Sequence, residues 1–401
     1  MKITKKIVLS FAAALLVGVA GAEVGNSGTS FMKKALEPFV KSGELPGSVV
    51  VLHDKGQEEI CCIGYADVAA KRPITMDDHF MQCSQTKGFC GVTIAKLVED
   101  GKISLDDPVS KYLPEFSTLW ITDGSTTDVR RLTKAKNTLT IRMCMNHTGG
   151  FWFELPNYIQ MGGWSRRMPL RSVAAMAAAT PILFEPGTRT QYSNVGIDIG
   201  AAIIEVVTGM RWEDYLKKEV LDPLGMTSSG FVPSAEWLKN KIELYDCQTN
   251  APARWRECNP AMARPYGDDR VFASAGAGLW TTTRDQLKFY KMLMNLGVGD
   301  NGVRILKEET VKNILAKSTR LAGMGGYSLG LGTSEDGWFG HGGAWGTNCQ
   351  VNWKTKQLKL HVVQLCGMPR PWWAASAEAE KAFFKAVVNN RAAGEYTGRM
   401  K

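Results

Sequence analysis

Hydrophobic and polar positions divide this chain into a short leader and a long patterned body. Residues 7–19 are almost wholly apolar and follow Lys2, Lys5 and Lys6, and Ala20-Gly21-Ala22 supplies small residues behind them. A basic start, an apolar run too short to span a membrane and a small-residue cut site predict a signal peptide over 1–22. The body opens at 29–42, where Phe31, Leu36, Phe39 and Val40 fall on one side of a helix. Leu45-Pro46-Gly47 ends that pattern, and runs at 48–54 and 57–64 flank Lys55-Gly56 as a predicted hairpin. A helix is predicted from Ser84 to about Asp100. Residues 194–208 are apolar nearly all round, which predicts a buried helix. Thr282-Thr283-Arg284-Asp285 reads as a helix start leading into 286–296. Strands are predicted at 327–331, 346–353 and 358–366, and a closing helix at 374–388.

Strands therefore lie at both ends of the chain and helices between them. The expected fold class is α+β: one antiparallel sheet built from both chain ends and flanked by helices. The predicted division is an α/β part over about 23–104 and 321–401, with a mainly helical inserted lobe over about 105–320. A site drawing on both parts would lie at their seam, where pockets tend to form.

Composition narrows the function classes. The 401 residues are 44% hydrophobic and 22% charged, as in a globular protein with a sizeable core. The formal charge of +9 comes without a Lys/Arg-rich tract interleaved with aromatics, so no nucleic-acid partner is expected. No segment after the leader is long and apolar enough for stable membrane insertion. The expected location is outside the cytoplasm, periplasmic or extracellular, and the expected partner is a small-molecule or peptide substrate. All nine cysteines follow the leader, and no C-x-x-C occurs. Cys247 and Cys258 bracket a loop and are the expected disulfide. A turn at 354–357 would set Cys349 opposite Val362, which makes Cys349 and Cys366 poor partners. Five histidines with no H-E-x-x-H or close pair argue against a metal site, and no cofactor is expected.

Three short stretches carry candidate chemistry: Ser84-Gln85-Thr86-Lys87, Tyr192-Ser193-Asn194 and His341-Gly342-Gly343. Residues three apart on a helix share a face, so the Lys87 amine can reach the Ser84 hydroxyl. A serine hydroxyl becomes a strong nucleophile only when a base takes its proton, and a buried lysine can lose its own near neutrality. A helix N-terminus adds positive potential and N–H donors for an oxyanion. Tyr192 and Asn194 supply a phenol and a carboxamide. His341-Gly342-Gly343 is expected at the start of an inner strand. Each motif alone is compatible with a cap, a surface lysine or core packing. There is no G-x-S-x-G elbow of the α/β-hydrolase type.

The flanks make the set specific. The run from His79 to Phe89 leads through Leu97-Val98-Glu99-Asp100-Gly101-Lys102-Ile103-Ser104-Leu105-Asp106-Asp107-Pro108-Val109 to Tyr112-Leu113-Pro114-Glu115-Phe116. Leu139-Thr140-Ile141-Arg142, His147-Thr148-Gly149-Gly150, Phe184-Glu185-Pro186-Gly187 and the Pro-Leu-Gly-Met ending at Met226 follow in order. Together these resemble the active-site serine family of class C β-lactamases, penicillin-binding peptidases and their esterase and D-aminopeptidase relatives. The resemblance spans about residues 30–390.

It implies a serine hydrolase in which Ser84 forms an acyl-enzyme and Lys87 is its proton partner. It implies that Tyr192 relays protons to the leaving group and that Asn194 orients a substrate amide while touching Lys87. Gly342 and Gly343 allow close substrate approach, and the Ser84 and Ala344 N–H groups form the oxyanion hole. His341 stands where many members carry the lysine of K-T-G, which binds a carboxylate. A part-charged histidine there favours peptidase or esterase action over β-lactamase action. A β-lactamase, or a non-catalytic penicillin-recognising or wall-binding protein, is the alternative. Secondary candidates are His147 as a structural group, Glu154 as a cleft acid, and Phe151, Trp152 and Trp164 as cleft aromatics. Arg370 is a substitute carboxylate binder or a surface group, and Trp372 and Trp373 dock the last helix.

Overall fold

The computed structural model describes residues 30–122, 131–155, 168–247, 255–257, 273–317, 326–367 and 370–392. The leader, Trp164 and Cys258, and with Cys258 the expected Cys247–Cys258 disulfide, lie outside the described residues. Helix α1, Phe31–Ser42, starts where the Ser30 hydroxyl accepts from the Lys33 N–H and stops at Gly43, whose φ of 81° suits only glycine well. Strands β1 (Gly47–Asp54) and β2 (Gln57–Asp67) form the predicted hairpin, with Asp54 opposite Gln57. Lys55 and Gly56 both take positive φ, 49° and 91°, as a two-residue hairpin turn requires.

Val49, Val50, Val51 and Leu52 of β1 are all fully buried. This explains an apolar run without alternation: β1 is a central strand covered on both faces. Around it lies an eight-stranded sheet that includes β3, Arg72–Pro73. Its C-terminal members are β6 (Gly326–Tyr327), β7 (Gly332–Thr333), β8 (Trp338–Gly342), β9 (Asn348–Asn352) and β10 (Gln357–Val362). The order is β6-β7-β8-β9-β10-β1-β2-β3, every pairing antiparallel, so β1 and β10 join the two chain ends. Two short strands, β4 (His79–Met81) and β5 (Trp280–Thr282), pair separately.

One face of the sheet carries α2 (Thr86–Glu99) and α6 (Thr283–Met294), and the other carries α1 and α7 (Trp372–Ala392). Between them in sequence come α3 (Ile141–Met145), α4 (Leu170–Ala179) and α5 (Asn194–Thr208). Every residue of α5 from Asn194 to Ile204 is buried, as its apolar composition requires.

Several expectations need correction. Helix α6 falls within the stretch read as the helical lobe, yet it packs on β9 and β10. The strand expected at 327–331 is two short strands, because Gly330 turns the backbone with φ 70°. The strand expected over 358–366 ends at Val362, and Leu365–Cys366 pairs instead with Tyr245–Cys247. The β9–β10 turn is two residues earlier in register than expected, so Cys349 faces Leu360 rather than Val362. His341 and Gly342 lie at the end of β8, not at the start of a strand. Among the described residues Cys61, Cys62, Cys83, Cys90, Cys144 and Cys349 are free thiols.

Candidate active site

Ser84 occupies a 3₁₀ turn, Cys83–Gln85, immediately before α2. Cys83 takes φ 52°, a conformation unfavourable for a side-chain-bearing residue, and this bend aims the following serine out of the helix axis. The Thr86 hydroxyl closes the turn by donating to the Cys83 carbonyl at 2.7 Å. Ser84 is half-buried, while Lys87, one turn on, is fully buried.

The Lys87 Nζ has three partners: Ser84 Oγ at 3.2 Å, Asn194 Oδ1 at 2.5 Å and the Gly276 carbonyl at 2.7 Å. Asn194 is the first residue of α5, whose cap is Ser193: its hydroxyl accepts from the Gly196 N–H at 3.0 Å. The Asn194 amide is oriented by Glu154, which accepts from Nδ2 at 2.6 Å and leaves Oδ1 facing the lysine. Two of the three Lys87 partners can therefore only accept. In its neutral form the amine gives both N–H groups to them and turns its lone pair to the Ser84 hydroxyl. Burial pulls the Lys87 ammonium down to about 7, against the opposing pull of Asp198, Glu154 and Cys83.

Tyr192 lies across the site, with Lys87 Nζ 4.6 Å from its ring centre. Burial pushes its phenol up to about 12, offset in part by a hydrogen bond with Ser84. The phenol is thus protonated at neutral pH. Its hydroxyl is 3.4 Å from His341 Nε2, which also bonds the Tyr327 hydroxyl at 2.9 Å. The other ring nitrogen, Nδ1, contacts the Gly342 carbonyl and must carry the proton there, because a carbonyl only accepts. Nε2 is then the acceptor for the tyrosine hydroxyls. Burial and the nearby Lys87 lower His341 to about 3, so the ring is neutral. His341 thus turns a neutral acceptor, Nε2, toward two phenols.

Gly342 and Ala344 are exposed on the turn that follows β8, and Gly343 is half-buried. A Cβ on Gly343 would sit 2.1 Å from Thr347 Oγ1 and 2.4 Å from the Gln82 carbonyl. Only glycine lets this turn lie against the segment that precedes the nucleophile. The Gly343 N–H donates to the Thr347 carbonyl at 2.6 Å, which sets the turn. Arg370 donates to the carbonyls of Ala344 and Leu365, at 2.8 and 2.9 Å. These bonds brace backbone at the rim of the site.

His147 is buried with its ring 4.5 Å from that of Tyr192 and 4.6 Å from that of Tyr327. Its Nδ1 accepts from the Ser193 N–H at 3.3 Å, and burial drives it well below the usual imidazole range. Glu154, read from the sequence as a cleft acid, bonds Asn194. Phe151 is in the core, the half-buried Trp152 donates its indole N–H to the Pro181 carbonyl at 2.8 Å, and both line a small apolar cavity with Leu155 and Ile182. Phe153, half exposed, stacks on Tyr192 at 6.0 Å. Trp372 is buried against the sheet and Trp373 is exposed.

Sequence reasoning missed three residues here. Tyr327 was read only as the start of a strand. Gly276 contributes a carbonyl, which no side-chain motif reveals. Asp198 sits one turn after Asn194 on α5, and that i, i+4 spacing in a buried helix was a signal available in the sequence.

Sheet, helices and site together define a β-lactamase/transpeptidase-like fold. The chain belongs to the β-lactamase family, whose profile matches residues 32–363. An uncharacterized protein of Mycobacterium tuberculosis is 27% identical over 81% of this chain and 87% of its own length. Esterase EstB of Burkholderia gladioli is 31% identical over 56% of this chain and 59% of its own. The structure of simvastatin synthase from Aspergillus terreus superposes with a TM-score of 0.73 at 20% identity, covering 90% of this chain and 99% of that one. The family and the esterase relative support a hydrolase.

Proposed function

We propose that this protein is an exported serine hydrolase that forms an acyl-enzyme on Ser84 and acts on small acyl esters or amides lacking a carboxylate beside the scissile bond. The observation that carries the reading is the Lys87 amine, held by two obligate acceptors with its third direction on Ser84 Oγ. As Ser84 Oγ attacks the acyl carbon, its proton passes to Lys87 and the new C–O bond forms. The leaving group departs with a proton from the Tyr192 hydroxyl, which the Lys87 ammonium replaces through the network. Water then attacks the ester with the same groups acting in reverse. The Ser84 and Ala344 N–H groups are the proposed oxyanion donors.

The substrate class follows from charge. His341 offers a neutral acceptor, not a cation, to a penicillin or peptide carboxylate, and the Arg370 nitrogen at the rim is engaged with the Ala344 and Leu365 carbonyls. Phe153 beside Tyr192 offers an apolar surface for an acyl chain. EstB, an esterase by name, supports the same choice. Export rests on the pattern of residues 1–22.

The test is a rate comparison on the mature protein with p-nitrophenyl butyrate, a chromogenic cephalosporin and a D-alanyl-D-alanine peptide, alongside fluorophosphonate labelling. The ester should turn over fastest, and label should sit on Ser84 and vanish in Ser84→Ala. Faster cephalosporin turnover would overturn the substrate class. Label on another serine would overturn the nucleophile.

A further inference from the structure

Asp198 is buried in the core beside the site, and no step above uses it. Its Oδ1 accepts from the Ala275 N–H at 2.8 Å, the Gly276 N–H at 3.3 Å and the Ser274 hydroxyl at 3.3 Å. The carbonyl of that same Gly276 takes the Lys87 Nζ. One residue thus links the carboxylate to the amine, Gly276 giving its N–H to Asp198 and its C=O to Lys87. Gly276 is pressed on the other side as well: a Cβ there would lie 2.7–2.8 Å from the Asn194 side chain. Asn194 and Asp198, a turn apart on α5, therefore hold the two acceptors of Lys87, one directly and one through backbone.

We propose that Asp198 is the positioning residue of the proton-transfer centre. Its carboxylate fixes the 274–276 turn so that the Gly276 carbonyl aims the Lys87 lone pair at Ser84, and its charge sets the pH at which Lys87 becomes a base. This rests on the acyl-enzyme reading and adds the control of its pH range.

The charged and titratable groups that face Lys87 are Asp198 from α5, Glu154 from the segment after α3, the Cys83 thiol, the Tyr192 phenol, and the neutral rings of His147 and His341. Asp198 is the first-ranked influence favouring the ammonium. Desolvation in turn raises the Asp198 carboxyl far above its usual range, so the two groups titrate as a coupled buried pair. The sign is definite. Removing the negative charge weakens the ammonium, so the free amine persists to lower pH.

The experiment compares wild type, Asp198→Asn and Asp198→Ala by the pH profile of kcat/KM on p-nitrophenyl butyrate. Asparagine keeps an oxygen for the Ala275 and Gly276 N–H groups but loses the charge. Its acid limb should move down by about one pH unit, a tenfold change in the proton equilibrium. Alanine loses both roles, and its plateau should also fall at least about tenfold. An acid limb that stays in place in Asp198→Asn, with only the plateau lowered, overturns the proposal in favour of a purely structural aspartate. Fluorophosphonate labelling separates the two readings: unlabelled Ser84 in wild type indicts the acyl-enzyme, whereas labelled Ser84 with an unmoved limb indicts Asp198 alone.

Discussion

Burial drives Lys87 and Tyr192 in opposite directions. It weakens the ammonium toward a usable base at about 7 and strengthens the phenol's hold on its proton to about 12. Two titratable groups pushed apart by one environment divide the roles of base and acid between them. Tyr192→Phe keeps the ring against His147 and Phe153 but removes the hydroxyl. Its turnover should fall at least about 10²-fold with the melting temperature little changed, as calorimetry beside steady-state kinetics will check. Full activity would leave Lys87 as the sole proton carrier. His341→Lys tests the substrate class. It would put an amine, a stronger base than imidazole, where a neutral acceptor now lies. Cephalosporin turnover should rise relative to ester turnover by about 10- to 100-fold, the worth of a charge-assisted hydrogen bond made in the transition state. An unchanged ratio would show that the missing charge is not what limits β-lactam use. At this scale Ser84, Lys87, Tyr192 and Asn194 were legible in the sequence because their side chains are the chemistry. The state of His341 was not, because its charge depends on burial and on Lys87 brought in from a distant segment.

At the scale of elements, α2 must lie hard against the sheet edge for Ser84 to meet the turn after β8. Two glycines on its inner face allow this. A Cβ on Gly91 would be 1.9 Å from the Leu329 carbonyl, and one on Gly88 would be 2.7 Å from the Leu331 side chain. Backbone cannot yield as a side chain can, so Gly91→Ala should displace the helix. The expected cost is about 1–3 kcal/mol or more in urea unfolding, with loss of ester turnover. Gly101→Ala is the contrast: φ is +69° but nothing lies near the added methyl, so only about 1 kcal/mol and no activity should be lost. Equal effects would show that contact at Gly91 is not the determinant. Helix starts and the Lys55-Gly56 turn were readable, since caps and positive-φ turns are local devices. The break at Gly330 was not, because it is imposed from outside. A Cβ there would meet the Lys87 carbonyl at 2.2 Å.

For the whole molecule, the decisive contact is β1 with β10, which closes residues far apart in sequence into one sheet. Leu360 lies fully buried on β10, opposite Val51 and Cys349. Leu360→Ala should cost about 2–5 kcal/mol in urea unfolding. A loss below about 1 kcal/mol would mean that the central strands are not packed as described. The sequence by itself determined where the main helices and the β1–β2 hairpin lie, that both chain ends enter one antiparallel sheet, and which side chains are proposed as nucleophile, base and acid. These are properties of local pattern and of side-chain chemistry. Only the tertiary structure decided that α6 belongs to the sheet, that β10 stops at Val362, that His341 is enclosed against two tyrosine hydroxyls, and that Asp198 reaches Lys87 through Gly276. Each of these depends on desolvation or on a backbone group brought in from a distant segment, and neither leaves a periodic trace along the chain.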